Sequence, residues 1–292
     1  MTTHQSVIPR RAADLTEVDT LAPETVEERD TPQPSVLLQG FDTIHLPEMT
    51  DVALLQRVDT KYLLSEGQLC QALVRLSYDY QVLELGGRRQ HRYRTLYFDT
   101  PDMALYRQHH SGKRNRYKVR ERAYADTHQA FLEVKHKVNT NTTVKNRRET
   151  QDLSLRIPPD ALPFLRMHYP YPVKALEPKL LNTFQRITLV STDRAERLTI
   201  DLGLLSFWNG AAVSLNGIAI AEVKQDRFSP TSEFIRQMRV LGVRATGFSK
   251  YCIGVALLHP EIKHNRFTPQ LRRIARLLQK EKKDACPTRN SR

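Results

Sequence analysis

Lys118-Val-Arg-Glu-Arg122 sets three cations at alternate positions of a short run. Successive side chains of a strand point to opposite faces, so a strand here carries all three on one side. The same spacing recurs in Glu133-Val-Lys-His-Lys137, Glu222-Val-Lys-Gln-Asp226, Lys145-Asn-Arg147, Arg197-Leu-Thr-Ile-Asp201 and Arg57-Val-Asp-Thr-Lys61. One such strand marks a sheet face open to water. Their repetition says more, because like charges opposite one another across strands repel. A sheet that gathers Lys and Arg on one face needs an anion to offset them. An α+β fold meets both demands if it is a closed antiparallel β-barrel with a polar interior and helices packed outside.

Glu133 and Glu222 each precede a Lys by two positions and share its face. Two readings are open for them. Each is an in-sheet ion pair, or each is a carboxylate ligand for Mg²⁺ or Mn²⁺ that also touches phosphate oxygens.

Around these runs, strands are expected at Tyr93 to Phe98, Arg116 to Tyr124, Ala130 to His136, Arg186 to Ser191, Leu198 to Leu202, Ser206 to Trp208 and Ala219 to Gln225. Pro178 to Leu181 and Ser154 to Leu165 read as connecting helical or turn segments. A short helix is expected to start near Pro47 to Thr50 and run through Asp51-Val-Ala-Leu-Leu55; others are expected after Ser65 as N-cap, after Ser229-Pro230 to about Leu241 before Gly242, and from Thr268-Pro269. Residues 1–38 have the composition of a disordered leader. Residues 39–262 read as one barrel domain, and residues 263–292 as a basic helix and tail. That helix packs Leu271, Ile274 and Leu278 under a solvated basic face, or it touches anionic lipid or nucleic acid.

The net charge of +13 over 292 residues implies an anionic partner: nucleic acid, a membrane surface or a phosphorylated molecule. A single Trp and no recognised module argue against nucleic acid. No apolar run approaches the length of a membrane helix, and the N-terminus has no apolar signal core. Cys70, Cys252 and Cys286 are widely spaced, as free thiols in a reducing, cytoplasmic setting would be. No glycine-rich phosphate loop occurs, so phosphate contacts fall to Arg forks and Lys point charges.

Arg57-Val-Asp-Thr-Lys-Tyr62, Thr95-Leu-Tyr-Phe-Asp-Thr100, Lys118-Val-Arg-Glu-Arg122, Phe131-Leu-Glu-Val-Lys135, Leu198-Thr-Ile-Asp201, Ala221-Glu-Val-Lys224 and Phe248-Ser-Lys-Tyr251 together resemble the VTC domain. This is the polyphosphate polymerase domain of the vacuolar transporter chaperone family, in the triphosphate tunnel metalloenzyme group with the CYTH-like triphosphatases. The resemblance runs over about residues 50–260. It implies a triphosphate tunnel that moves the γ-phosphate of ATP onto a polyphosphate chain with Mn²⁺ or Mg²⁺. It implies Lys61, Lys118, Arg120, Lys135 and Arg186 as catalytic cations. It further implies Lys145, Arg197, Ser249 and Lys250 as substrate contacts and Glu222 as metal ligand. The alternation adds Arg57, Arg122, Arg147 and Lys224 as anion contacts, and Glu133 as a second metal carboxylate. Where relatives often read Tyr-x-Arg, this chain has Phe184-Gln-Arg186. Hydrolases of the group usually carry E-x-E-x-K on the first strand, where this chain has Arg57-Val-Asp-Thr-Lys61. The sequence thus leaves three functions open: a polymerase using ATP, a triphosphatase or tripolyphosphatase, and a non-catalytic polyphosphate or inositol-phosphate binder. A membrane-protein partner is also left open.

Overall fold

Alternation turns into architecture through strand pairing. The structure is a computed structural model and describes residues 33–52, 58–138 and 143–285. Arg57, Cys286 and nearly all of the expected leader lie outside the described residues. The long strands are β2 (Val58–Ser65), β4 (His91–Asp99), β5 (Arg116–Tyr124), β6 (Gln129–Lys137), β7 (Thr143–Thr150), β8 (Glu177–Ser191), β9 (Glu196–Trp208) and β11 (Ile218–Gln225). They pair in the order β2-β11-β9-β8-β4-β5-β6-β7, every neighbour antiparallel. Short strands β1 (Thr43–Ile44), β3 (Tyr80–Leu83) and β10 (Ala211–Ser214) attach beside this path.

The path is curled. In a flat sheet β2 and β5 would stand five strand spacings apart, about 24 Å. Lys61 of β2 nevertheless adds to the downward push on the ammonium groups of Lys118 in β5 and Lys137 in β6, after burial. Among the described residues no ladder joins β7 to β2. The pairing therefore describes a curled sheet, and the closed seam expected of a barrel is not part of it.

The convex face is apolar and carries most of the helices. Helix α2 (Glu66–Leu76) follows α1 (Pro34–Leu37), and Ser65 and Gln68 close its start as a reciprocal capping box. Its Leu69, Leu73 and Leu76 pack with Tyr62, Leu64, Ile200, Ala221 and Val223. Helix α5 (Glu233–Val240) adds Phe234 and Met238 to the same cluster. Helix α3 (Ala104–His110) and helix α4 (Leu162–His168) cover Leu96, Phe98, Val119, Leu132 and Val134. The N-cap of α5 is Ser232, whose Oγ accepts from Ile235 N. Ser229, the cap expected from sequence, instead gives its N–H to the Gln225 side chain.

Two segments read as breaks are parts of long strands. Pro178 lies inside β8, where the register with β4 shifts between Tyr97 and Phe98. A bulge is where a sheet tolerates a residue without an N–H. The apparent gap between Leu202 and Ser206 is a bulge opposite Phe184, with Gly203 at φ +59°. Of the helix expected from Pro47 through Leu55, the part described is a 3₁₀ helix, Leu46–Val52, and residues 53–55 lie outside the described residues.

Helix α6 (Lys250–Leu258) lacks an amphipathic pattern because it is buried nearly all round. It packs on β8, β9 and β10 and stacks Tyr251 on Tyr97 of the concave face, 5.0 Å between ring centres. Gly254 permits this approach: a Cβ there would stand 2.7 Å from Leu180 Cδ2 and 3.0 Å from Ser206 Oγ. With Ile274 of α7 (Thr268–Ala285), α6 covers an apolar end of the concave face at Leu63, Phe184, Leu204 and Ile220. No helix among the described residues is long and apolar enough to cross a membrane.

A buried carboxyl on the convex side is perturbed. Glu121 is fully buried, with Oε2 accepting from Ser154 N at 2.6 Å and Oε1 without a hydrogen bond. Burial pushes its carboxyl up to about 7, and Asp152 adds to the push. A carboxyl raised in the folded state keeps its proton where the unfolded chain has lost it. Folding stability should therefore fall as pH rises from the ordinary Glu value to about 7, by up to about 3 kcal/mol. Denaturant titrations at pH 5 and 8 should show this fall, and Glu121→Gln should flatten it. An equally steep fall in the variant would exclude Glu121 as its source.

Candidate functional site

Directly opposed residues in these ladders share a face, so the register assembles the concave surface row by row. Lys118, Lys135 and Lys145 lie side by side across β5, β6 and β7. The next row is Arg120, Glu133 and Arg147, and the next begins with Arg122 beside Phe131. Across the sheet, Lys61 faces Glu222, and Lys224 faces Arg197 and Asp59. Arg186 lies opposite Asp201.

Three carboxylates bind most of these cations. Asp201 accepts from Arg186 through both of its oxygens, at 2.6 and 2.8 Å, and from Lys250 Nζ. Glu133 accepts from Arg120 Nε and Nη2 at 2.7 and 2.6 Å, and pairs with Lys145. Glu222 pairs with Lys61 at 2.5 Å and Lys224 at 3.0 Å. Burial would raise each carboxyl, but the paired cations outweigh it and hold all three well below the usual range. The in-sheet ion pair is thus formed at both Glu133 and Glu222.

Among the described residues Lys118, Arg122, Lys135 and Arg147 have no carboxylate partner. Lys118 donates to Ser249 Oγ at 3.1 Å. Arg122 donates to Thr95 Oγ1 at 3.3 Å and lies over the Tyr93 ring. Lys135 makes no hydrogen bond or ion pair among the described residues. Arg120 foremost, then burial and Arg122, hold its ammonium well below the usual value. This is the signature of a cation placed where positive potential is already high. Arg147 is exposed and lies over Phe131.

Several contributors carry no signal in the alternation. Tyr97 projects its phenol among Arg120, Arg122, Lys118 and Lys250, which lower its pKa despite burial. Phe184 stacks on Tyr93 at 5.3 Å and lies against Arg186 and Lys250. Asp99 receives the Tyr251 hydroxyl at 2.5 Å and the N–H groups of Leu105 and Tyr106. This ties α6 to β4 and α3, and so fixes Ser249 and Lys250 at the start of α6. Asp201 did stand in an alternating run beside Arg197, and that spacing was the available clue to its position.

A divalent ion can be tested against these donors. Among the described residues no three His, Cys, Asp or Glu side chains gather as a metal cluster. Glu133 is fully buried and both oxygens are engaged by cations, so it does not fit a ligand role. Glu222 is partly exposed on the concave face and fits as a single shared carboxylate. Mg²⁺ is commonly held in this way, by one or two carboxylates with substrate phosphates.

A model of the VTC domain matches the chain over residues 56–156 and 166–259. No curated protein matches it significantly. Among solved structures it is similar to a candidate adenylate cyclase of Bacillus halodurans, at 15% identity and TM-score 0.44, over 66% of this chain and 94% of that one. It is also similar to a Hippeastrum protein described as a candidate adenylyl cyclase with dominant triphosphatase activity, at 12% identity and TM-score 0.42, over 69% and 96%. A conserved Pyrococcus furiosus protein of undescribed function follows at 10% identity and TM-score 0.40, over 68% and 99%. These scores are too low to carry an activity across.

Proposed function

The chain belongs to the VTC domain family, and we propose that it is an ATP-dependent polyphosphate polymerase whose concave face encloses the phosphates as a tunnel. The observation that carries this reading is the row of Lys118, Lys135 and Lys145, set side by side with a carboxylate only at its outer member. Opposed like charges cost stability unless an anion sits between them. A chain of phosphates supplies that anion.

Phosphoryl transfer asks little covalent help of a protein; it asks for in-line placement and compensation of charge. In this reading a terminal oxygen of the acceptor chain attacks the γ-phosphorus, the bond to the β–γ bridging oxygen breaks, and ADP leaves. Lys118, Arg120 and Lys135 hold the transferred group. Lys61, Arg186 and Lys250 hold flanking phosphates, and Lys145, Arg147, Arg197, Lys224, Arg122 and Ser249 extend the contacts. Glu222 would share an Mn²⁺ or Mg²⁺ ion with phosphate oxygens, and such an ion would supply charge neutralisation there.

Purified protein given ATP and Mn²⁺ should release ADP and build chains resolved by size on a gel. Glu222→Ala should lower that rate by at least about tenfold if the carboxylate holds the ion. Orthophosphate without chains would point instead to a triphosphatase. Tight binding with no turnover would point to a polyphosphate sensor.

A further inference from the structure

The basic concave face does not end at the Lys118 row. Two residues earlier in β5, Arg116 lies directly opposite Lys137 of β6. Alternation puts both on the face that carries Lys118 and Lys135. Arg116 Nε donates to His109 Nδ1 at 3.1 Å, and Nη1 donates to Lys113 O at 2.8 Å. Both acceptors are neutral, since burial and then Lys118 and Arg116 push the His109 imidazole down to about 2. The guanidinium is therefore aimed without being neutralised, which keeps its charge for a ligand. Neither Arg116 nor Lys137 has a carboxylate partner among the described residues. Lys61 approaches Lys137 from the opposite edge of the sheet.

Arg116 lies four residues from Arg120, about 13 Å along the strand. A triphosphate seated on the Arg120 and Lys118 rows leaves the Arg116 row empty, whereas a longer chain leaving the face on this side must cross it. We propose that Arg116 and Lys137 form an outer phosphate subsite, which grips a linear polyphosphate chain beyond its first three phosphates. This rests on reading the concave face as a phosphate site.

The test is calorimetry on the full chain with two probes, tripolyphosphate and long-chain polyphosphate, comparing wild type with Arg116→Gln/Lys137→Gln. Tripolyphosphate affinity should stay within about twofold, and long-chain affinity should weaken by about tenfold or more, as loss of charged hydrogen bonds predicts. Lys137→Glu alone, which leaves the Arg116–His109 contact in place, should give the same selective loss. Unchanged long-chain affinity, or an equal loss for both probes, would overturn the subsite. A single-stranded oligonucleotide weakened as strongly as polyphosphate would overturn it in favour of a general polyanion surface. Wild type that binds neither probe would remove the functional reading as well, an outcome distinct from a failed subsite on a chain that binds tripolyphosphate.

Discussion

Replacing Lys118 and Lys135 together by Ala is expected to cut tripolyphosphate affinity by about a hundredfold or more while leaving the ligand-free fold at least as stable. Each lysine offers a charge-assisted hydrogen bond, and such bonds are worth about 1.5–3 kcal/mol. Two of them correspond to at least about two orders of magnitude in the dissociation constant. In the ligand-free chain the same two groups face each other across β5 and β6 with no carboxylate partner. Their removal takes away this repulsion, at the cost of the one neutral hydrogen bond from Lys118 to Ser249 Oγ. Calorimetry reads the first effect and a thermal melt the second. Undiminished affinity would reject the concave face as the anion site. A large loss of stability would show that the row is held by something other than a ligand.

Asp201→Ala should produce the opposite combination. Asp201 is buried and holds Arg186 and Lys250 together. Its loss leaves two buried cations uncompensated, which typically costs about 3–5 kcal/mol. For a chain of this size the midpoint should drop by about 10 °C. Tripolyphosphate should recover much of that loss, because an anion can take the vacated place and stabilises in proportion to its occupancy. A variant as unstable with saturating tripolyphosphate as without it would place Asp201 outside the reach of the ligand. A variant as stable as wild type would make the three-way ion pair a surface feature of no energetic weight, against its burial.

These two substitutions divide the concave cations into two kinds. Arg186, Lys250, Arg120, Lys145, Lys61 and Lys224 are shared among three carboxylates. They keep the curled sheet compatible with its own charge. Lys118 and Lys135, with Arg122, have no carboxylate among the described residues and add to the positive surplus that six cations over three carboxylates already leave. The first kind can also bind ligand, but only by exchanging a carboxylate for a phosphate. Burial of the carboxylates makes that exchange a matter of competition rather than of simple attraction.

Much of this was legible in the chain. Period-two alternation located β5, β6 and β11 within a residue or so, because strands with one apolar and one charged face cannot be written in any other period. Ser65 announced α2 as its N-cap, through capping chemistry that acts over three residues. Motif order was enough to suggest the family that the domain match bears out. Local pattern failed where a strand was interrupted or a helix was buried. Gly203 and Pro178 look like ends, and only pairing to β8 and β4 turns them into bulges. Helix α6 has no polar face to mark its period, and it is helical because the concave end of the sheet surrounds it.

The charges divide along the same line. By itself the sequence determined that Lys and Arg would share one face, since side-chain direction along a strand is a local property. Which cations are neutralised, and which wait for an anion, is a matter of strand register and curl. Register set Arg120 against Glu133 and Lys118 against Lys135, and a slip of two residues would exchange those partners while preserving every alternation. Curl brought Lys61 to Lys118 and set α6 between β5 and β9. Only the tertiary structure could decide these pairings, because Coulomb energy depends on distances between strands and the alternation within a strand carries no information about them.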